Sequence, residues 1–296
     1  MKKIIIIVIV VLIAGFIAPA WYFSSRLLYP EPQVCPKAHF LYCGDPSELK
    51  LEWEDVSFKT KDGITLRGWF LPSGKSDKAV IMIHGITADR HEGMRWAPSF
   101  NRAGFNILLF DLRNHGKSDK AISGMGMHEK EDIKAAMDFM LGHKKMTKAG
   151  IFGVSMGAAS GISAMADDQR IAAGVFEAGY ADLYDLLSTM MVRDFHLPQF
   201  PLLNITSLLF RIRGGIPMSA VSPEKYIGKI APRPVFIIHC REDNYIPYSH
   251  GERIFSAARE PKEFYAAACN IHAEAWQSDA KFLEDRLTWF FRQNLK

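Results

Sequence analysis

The chain has 296 residues, of which 48% are hydrophobic and 23% charged, and it carries a formal charge of +4 with a pI near 8.8. That is the composition of an ordinary folded protein and argues against disorder; with no Lys/Arg run longer than Lys144-Lys145, it also lacks a nucleic-acid footprint. The four cysteines, Cys35, Cys43, Cys240 and Cys269, form no C-x-x-C pair and have no histidine at zinc spacing, so no metal or other cofactor is implied.

Lys2 and Lys3 precede an apolar run from Ile4 to Phe23, about the 20 residues that a membrane-spanning helix needs. Ala18-Pro19-Ala20 fits the A-x-A pattern of a signal-peptide cleavage site. The run continues through Trp21, Tyr22 and Phe23, however, and these aromatics suit a membrane-water interface better than a mature N-terminus. Residues 1–25 are therefore read as an uncleaved signal anchor, with a cleaved signal peptide as the alternative. Two lysines against the lone Arg26 keep the N-terminus cytoplasmic and send the body of the chain across, which makes the expected partner a membrane and the expected location of the body extracytoplasmic.

Residues 26–50 hold Pro30, Pro32, Pro36, Gly44 and Pro46 and read as a tether. Within it Cys35 and Cys43 either close a short loop or stay free. The rest, 51–296, reads as one domain. Glu52 to Thr60 and Thr65 to Leu71 alternate like paired strands around a Lys61-Asp62-Gly63 turn. Further strands are expected at Ala79 to Ile83, Asn106 to Phe110, Gly150 to Val154, Ala172 to Phe176, Val235 to His239 and Glu263 to Ala267. Helical periodicity fills Glu92 to Ala103, His128 to Leu141 and Glu274 to Gln293. Strands alternating with helices predict an α/β fold, a mostly parallel sheet covered on both faces. In such a sheet the chemistry gathers beyond the carboxyl ends of the strands. Residues 183–231 interrupt the alternation with an insertion far longer than an ordinary loop, rich in Leu, Met and Phe, and read as a helical cap over the site; a merely peripheral helix pair is the alternative.

The strand at Gly150 to Val154 ends in Gly153-Val154-Ser155-Met156-Gly157, after which small residues begin a helix. Strand, sharp turn and helix with serine at the corner is the setting of a nucleophile elbow, where flanking glycines leave room for a strained serine backbone. A serine hydroxyl is a weak nucleophile and needs a base, itself oriented by a carboxylate. Asp243 and its neighbour Glu242 leave the end of one later strand, and His272 leaves the end of the next. The order Ser, Asp, His on one sheet edge matches that chemistry. Pro247 lies four residues after Asp243, and this spacing favours Asp243 over Glu242.

With His84-Gly85, Asp111 to Ser118, the Gly153 to Gly157 elbow, Asp243 with Pro247, and His272, the chain resembles the α/β-hydrolase superfamily of serine hydrolases from about Val56 to Asn294, and in particular its membrane-anchored esterase-, lipase- and thioesterase-like members. The resemblance implies that Ser155 is the nucleophile, His272 the general base and acid, Asp243 the orienting carboxylate, and the backbone N–H groups of Ile86 and Met156 the oxyanion hole. It implies hydrolysis of ester-like acyl bonds of a small-molecule or lipid-like substrate without a cofactor. A thioesterase, a serine peptidase, or an idle membrane-tethered binding module are the alternatives. Asn114 stands where this family usually has glycine. Cys240 and Cys269, at neighbouring strand ends, are read as small packing residues in preference to a disulfide. The remaining histidines are read as structural, His84 as a support of the oxyanion loop.

Overall fold

In the computed structural model the described residues are 2–32, 35 and 41–296, without the side chains of residues 2–14. Eight strands form one sheet: β1 Glu54–Lys59, β2 Thr65–Leu71, β3 Lys78–Ile83, β4 Asn106–Phe110, β5 Lys148–Val154, β6 Ile171–Glu177, β7 Val235–Cys240 and β8 Lys262–Ala267. Their order is β1-β2-β4-β3-β5-β6-β7-β8. β1 and β2 pair antiparallel across the Gly63 turn, β2 pairs antiparallel with β4, and every later pair is parallel. The expected mostly parallel α/β sheet is thus present, with an antiparallel hairpin at one edge.

Alternate residues of each strand serve opposite faces. Ile81, Ile83, Leu108, Phe110 and Ile151 pack with Ile133 and Met137 of helix α3 (Glu129–Asp138) and Ile162 of α4 (Met156–Asp167). Val80, Met82, Ile107, Leu109 and Phe152 pack instead with Phe100 of α2 (Ala97–Arg102) and with Leu287, Phe290 and Phe291 of α9 (Ala275–Asn294). Both faces are covered, which is why these strands read as near-continuous apolar runs.

Two expected helices differ in detail. Glu92 to Ala103 divides into a 3₁₀ turn at Arg90–Arg95 and α2, because Pro98 near the α2 start has no N–H to continue the ladder from the preceding turn. His128 to Leu141 becomes α3 followed by one wide π turn at Phe139–His143. The closing helix α9 kinks at Asp279.

The insertion between β6 and β7 is helical: α5 Leu183–Arg193, α6 Leu202–Gly214, a 3₁₀ turn at Met218–Ala220, and α7 Glu224–Ile227; α8, Tyr248–Ala257, follows β7. The N-terminal helix α1, Lys2–Leu28, lies along this insertion. Its Ala20, Ser24, Leu27 and Leu28 are buried at helical spacing, and Ala20 clusters with Met191, Leu202 and Leu203. The Arg213 guanidinium of α6 lies 3.9 Å from the Trp21 ring and donates to the Ser24 and Ser25 hydroxyls at 2.6 and 2.9 Å. Among the described residues no helix is long and apolar enough to cross a membrane; the anchor expected over Ile4 to Phe23 lies, for the side chains of residues 4–14, outside the described residues. In the segment after α1, Cys35 and Cys43 are joined by a disulfide. Asn114, at φ 64°, occupies a left-handed turn position that asparagine tolerates, and its amide donates to the Pro30 carbonyl.

Candidate active site

Ser155 stands between β5 and α4 with φ 54° and ψ −117°, a backbone conformation that non-glycine residues avoid. The turn is closed by contact: a Cβ on Gly153 would lie 2.3 Å from the Gly157 carbonyl oxygen, and one on Gly157 would lie 2.3 Å from that of Ile83. Neither position accepts a side chain. The Ser155 N–H donates to the Glu177 carbonyl at the end of β6 at 2.8 Å, which ties the turn to the neighbouring strand.

The loops after β7 and β8 bring Asp243 and His272 to this turn. His272 Nδ1 and Asp243 Oδ2 are 2.8 Å apart, and His272 Nε2 and Ser155 Oγ are 2.9 Å apart. An ionised carboxylate only accepts, so Nδ1–H donates to Asp243 and Nε2 accepts from the Ser155 hydroxyl. Asp243 Oδ1 takes two more hydrogen bonds, from the N–H groups of Tyr245 and Ile246 at 2.9 and 2.8 Å. Burial raises the Asp243 pKa, but the His272 hydrogen bond and charge and the Tyr245 N–H outweigh it, holding the carboxyl below its ordinary range. Glu242, by contrast, is exposed to solvent. Of the two neighbouring carboxylates, Asp243 is the one that meets His272.

The expectation that Cys240 and Cys269 merely pack is corrected: they form a disulfide, with Cα atoms 4.9 Å apart. The parallel pairing of β7 with β8 sets Cys240 opposite Ala267, two residues before Cys269, and so brings the Cα atoms within bridging range. The bond staples the loop that carries Asp243 to the loop that carries His272.

The loop after β3 abuts Ser155, since a Cβ on Gly85 would lie 3.2 Å from the serine Cβ. Glu92 Oε2 accepts from the Gly85 N–H at 2.7 Å. His84 Nε2 accepts from the Leu112 N–H at 3.0 Å, so its Nδ1–H donates to the Gly85 carbonyl at 2.8 Å. Ile86 follows directly in this braced loop, and Met156 is the first residue of α4, where helical N–H groups have no partner within the helix. The Asp111 to Ser118 stretch supports the same corner. Asp111 accepts from the Arg90 N–H and guanidinium and from the Lys117 N–H, and the Ser118 hydroxyl donates to the Asp111 carbonyl. His115 is packed against His84, and burial together with the His84 charge pushes its pKa down to about 4.

Three residues near this corner were not singled out by sequence reasoning. Asn244 Oδ1 accepts from the His272 N–H at 3.1 Å, and Glu92 braces the loop after β3. Glu177, besides its carbonyl, holds a buried carboxyl 3.7 Å from the Arg95 guanidinium, and burial pushes its pKa up to about 7. All three lie on separate elements from the residues they support, so no local spacing marks them. Among the described residues no group of three or more His, Cys, Asp or Glu could hold a metal ion.

Residues 78–202 match the family model described as alpha/beta hydrolase fold. Among curated proteins, the uncharacterised YqkD of Bacillus subtilis is 29% identical over 227 residues, 72% of this chain and 71% of that protein. The uncharacterised YfhR of Escherichia coli K12 is 26% identical over 286 residues, 93% of this chain and 88% of that protein. Among solved structures, the Pyrococcus furiosus esterase Pf2001 superposes with a TM-score of 0.73 at 25% identity, over 90% of this chain and 98% of that one. The esterase domain of a Rhodothermus marinus protein superposes with a TM-score of 0.59 at 19% identity, over 83% and 100%. With its mostly parallel eight-stranded sheet and these likenesses, the chain has the alpha/beta hydrolase fold.

Proposed function

We propose that the protein is a serine hydrolase that cleaves ester-like acyl bonds through an acyl-enzyme. The observation that carries the reading is the hydrogen-bonded line from Ser155 Oγ through His272 to Asp243, at 2.9 and 2.8 Å, starting from a serine in a strained turn. Ser155 Oγ attacks the substrate carbonyl carbon as its proton passes to His272 Nε2, while buried Asp243 fixes the imidazole and stabilises its charged form. The oxyanion is received by the N–H groups of Ile86 and Met156, each donor of this kind contributing about 2.7 to 4 kcal/mol to the transition state. His272 then protonates the leaving alcohol, and water activated by the same nitrogen releases the acid. The likeness to an esterase structure supports this reaction class. Thioesters and peptides present the same carbonyl, so substrate choice rests with the surroundings of Ser155. An idle binding module gives no reason for a serine, a histidine and a carboxylate to meet in one hydrogen-bonded line.

We further propose that α1 anchors the chain in a membrane, with the body extracytoplasmic, and that residues 183–231 cap the site toward lipid-like acyl substrates. The apolar run of Ile4 to Phe23 supports the anchor. So does the gathering of exposed apolar residues on this side of the molecule: Ile17, Trp21 and Tyr22 of α1, and Phe200, Leu208 and Ile212 of the cap. The deciding experiment is labelling with a fluorophosphonate together with ester turnover. Ser155→Ala is expected to abolish both while leaving thermal unfolding in place; labelling that survives the substitution would remove Ser155 from the reaction.

A further inference from the structure

His239 is the next-to-last residue of β7, opposite Ala266 of β8, and its side chain is sealed from solvent. A buried imidazole needs partners for its nitrogens or a reason to lack one. Its Nε2 lies 3.0 Å from the Ile246 carbonyl oxygen, which can only accept, so the ring carries its proton on Nε2. Nδ1 has no hydrogen-bond partner among the described residues, and α8 presses on that edge, since a Cβ on Gly251 would lie 2.8 Å from it. A second proton there would find no acceptor. Burial lowers the His239 pKa and the His272 charge adds to the effect, while the Ile246 carbonyl and Asp243 act in the opposite sense. The ring is thus a neutral donor with one direction in which to donate.

That direction is the loop that carries Asp243. The Ile246 N–H donates to Asp243 Oδ1 at 2.8 Å, and the carbonyl of the same residue takes the His239 proton. Pro247 has no N–H with which to continue the pattern, and α8 starts at Tyr248. His239 therefore fixes Ile246 at the end of the loop where Ile246 must hold the carboxylate. The same Nε2 is 3.7 Å from Asp243 Oδ2, too far for a hydrogen bond but near enough for the N–H dipole to act on the oxygen. Oδ2 is also the atom that His272 Nδ1 meets at 2.8 Å. One carboxylate oxygen stands between two imidazoles, of which only His272 faces the nucleophile. Other titratable groups surround them: Arg193 of α5 acts on Asp243, Glu177 of β6 on His272, the Tyr245 ring lies against His272, and Tyr248 and His250 of α8 lie near His239. A test of His239 must therefore alter its N–H and leave the shape of the site alone.

We propose that His239 is a positioning residue for the orienting carboxylate: its Nε2–H holds Ile246 where it donates to Asp243 and, from the far side, moderates the pull of Oδ2 on His272. The inference rests on the serine-hydrolase reading and adds to it a residue that touches no reacting atom. Two effects follow from removing the N–H. The Ile246 carbonyl loses its partner in a buried site, so the loop relaxes and turnover falls. Oδ2 then turns more of its charge on His272, so the imidazolium forms more easily and the acid limb of the rate profile moves to higher pH.

The test compares His239→Met with His239→Gln in the full-length chain. The two side chains have the same length, and only glutamine carries an N–H to the place of Nε2. The readouts are kcat and KM on a p-nitrophenyl ester across pH, with fluorophosphonate labelling and thermal unfolding of each variant. His239→Met should lower kcat by about tenfold to a hundredfold, less than the factor of about 10⁴ that follows loss of the acid's role. KM should stay within about twofold, because the side chain is sealed from substrate. The acid limb of kcat/KM should move up by about half a pH unit, a change of about threefold in proton binding. His239→Gln should return the acid limb to its place and kcat to within about threefold. A His239→Met protein that is less heat-stable but keeps its kcat and acid limb makes His239 ordinary packing and overturns the proposal; equal losses in the two variants do the same. The unaltered chain supplies a second measurement. NMR of the ¹⁵N-histidine-labelled protein, with the His239 signal identified by its absence in His239→Gln, should show a neutral ring protonated on Nε2 throughout the pH range of turnover. A ring protonated on Nδ1, or one that gains a second proton in that range, overturns the proposal even where His239→Met does not fold. Absence of labelling in the unaltered chain overturns the hydrolase reading instead, and the NMR measurement then still decides whether His239 holds Ile246.

Discussion

Replacing Asp243 by Asn keeps the shape of the side chain but breaks its hydrogen-bond accounting. The carboxylate accepts three donors, the N–H groups of Tyr245 and Ile246 on Oδ1 and His272 Nδ1–H on Oδ2. An amide has one oxygen and one NH2. With the oxygen toward Tyr245 and Ile246, the NH2 faces Nδ1–H, and the imidazole escapes the clash by moving its proton to Nε2, where it can no longer accept from Ser155. With the amide reversed, NH2 faces two backbone donors in a buried site, at about 1 to 3 kcal/mol for each group left unpaired. The first arrangement avoids those two unpaired groups, and the wrong tautomer it imposes costs about 10⁴ in kcat, equivalent to about 5.4 kcal/mol. Glu242 is exposed, so Glu242→Gln should change kcat by no more than about twofold. The assay is kcat on a p-nitrophenyl ester for both variants, with thermal unfolding as the control for folding. Equal losses, or a larger loss in Glu242→Gln, would transfer the orienting role to Glu242; near-full activity in Asp243→Asn would refute the proton path itself.

Breaking the Cys240–Cys269 disulfide by Cys269→Ala with Cys240→Ala should lower stability by about 3.6 kcal/mol from loop entropy over the 29-residue separation, and should reduce kcat because the Asp243 and His272 loops lose their staple; chemical denaturation and ester turnover read the two effects. The histidines predict acid sensitivity. His250 is held neutral by burial and by Arg253, with its pKa pushed down to about 4, and its Nδ1 accepts from the Ala181 N–H. Its unfolded counterpart binds a proton below about 6.5, so between those values the unfolded state holds more protons, stability is present at higher pH, and it is lost as pH falls from about 6.5 toward 4. His250→Asn keeps an acceptor that does not titrate and should flatten the acid loss by about 2 kcal/mol between about pH 6.5 and 5 in urea unfolding; an unchanged slope would remove His250 from the account. The anchor reading predicts that the chain stays in the membrane fraction after alkaline carbonate washing and keeps Met1 to Ala20 by mass; a soluble protein beginning at Trp21 would establish a cleaved signal peptide.

The strands, their mostly parallel arrangement and the residues at their carboxyl ends were legible in the chain because each depends on a pattern within a few residues. Apolar runs report strands covered on both faces, and Gly153 and Gly157 report a turn with no space for side chains. Ser155, Asp243 and His272 could be singled out as strand-end residues for that reason. Their meeting could not, since 117 residues separate Ser155 from His272 and only the adjacency of β5, β6, β7 and β8 closes the distance. The spacing to Pro247 favoured Asp243 over Glu242 in the sequence; the physical reason is tertiary, because these neighbours point to different surroundings and the fold buries Asp243 beside the His272 imidazole. Local reasoning took Cys240 and Cys269 for packing residues, whereas the register of β7 and β8 brings their Cα atoms within 4.9 Å. The helix expected over Glu92 to Ala103 contained its own breaker in Pro98, a local signal outweighed by the apolar spacing around it. The last turns of α1 read as the end of an anchor and the beginning of a tether. Hydropathy measures how poorly a segment suits water, and both a bilayer and the apolar face of α6 satisfy it; that Ala20, Ser24, Leu27 and Leu28 are buried was decided by tertiary packing.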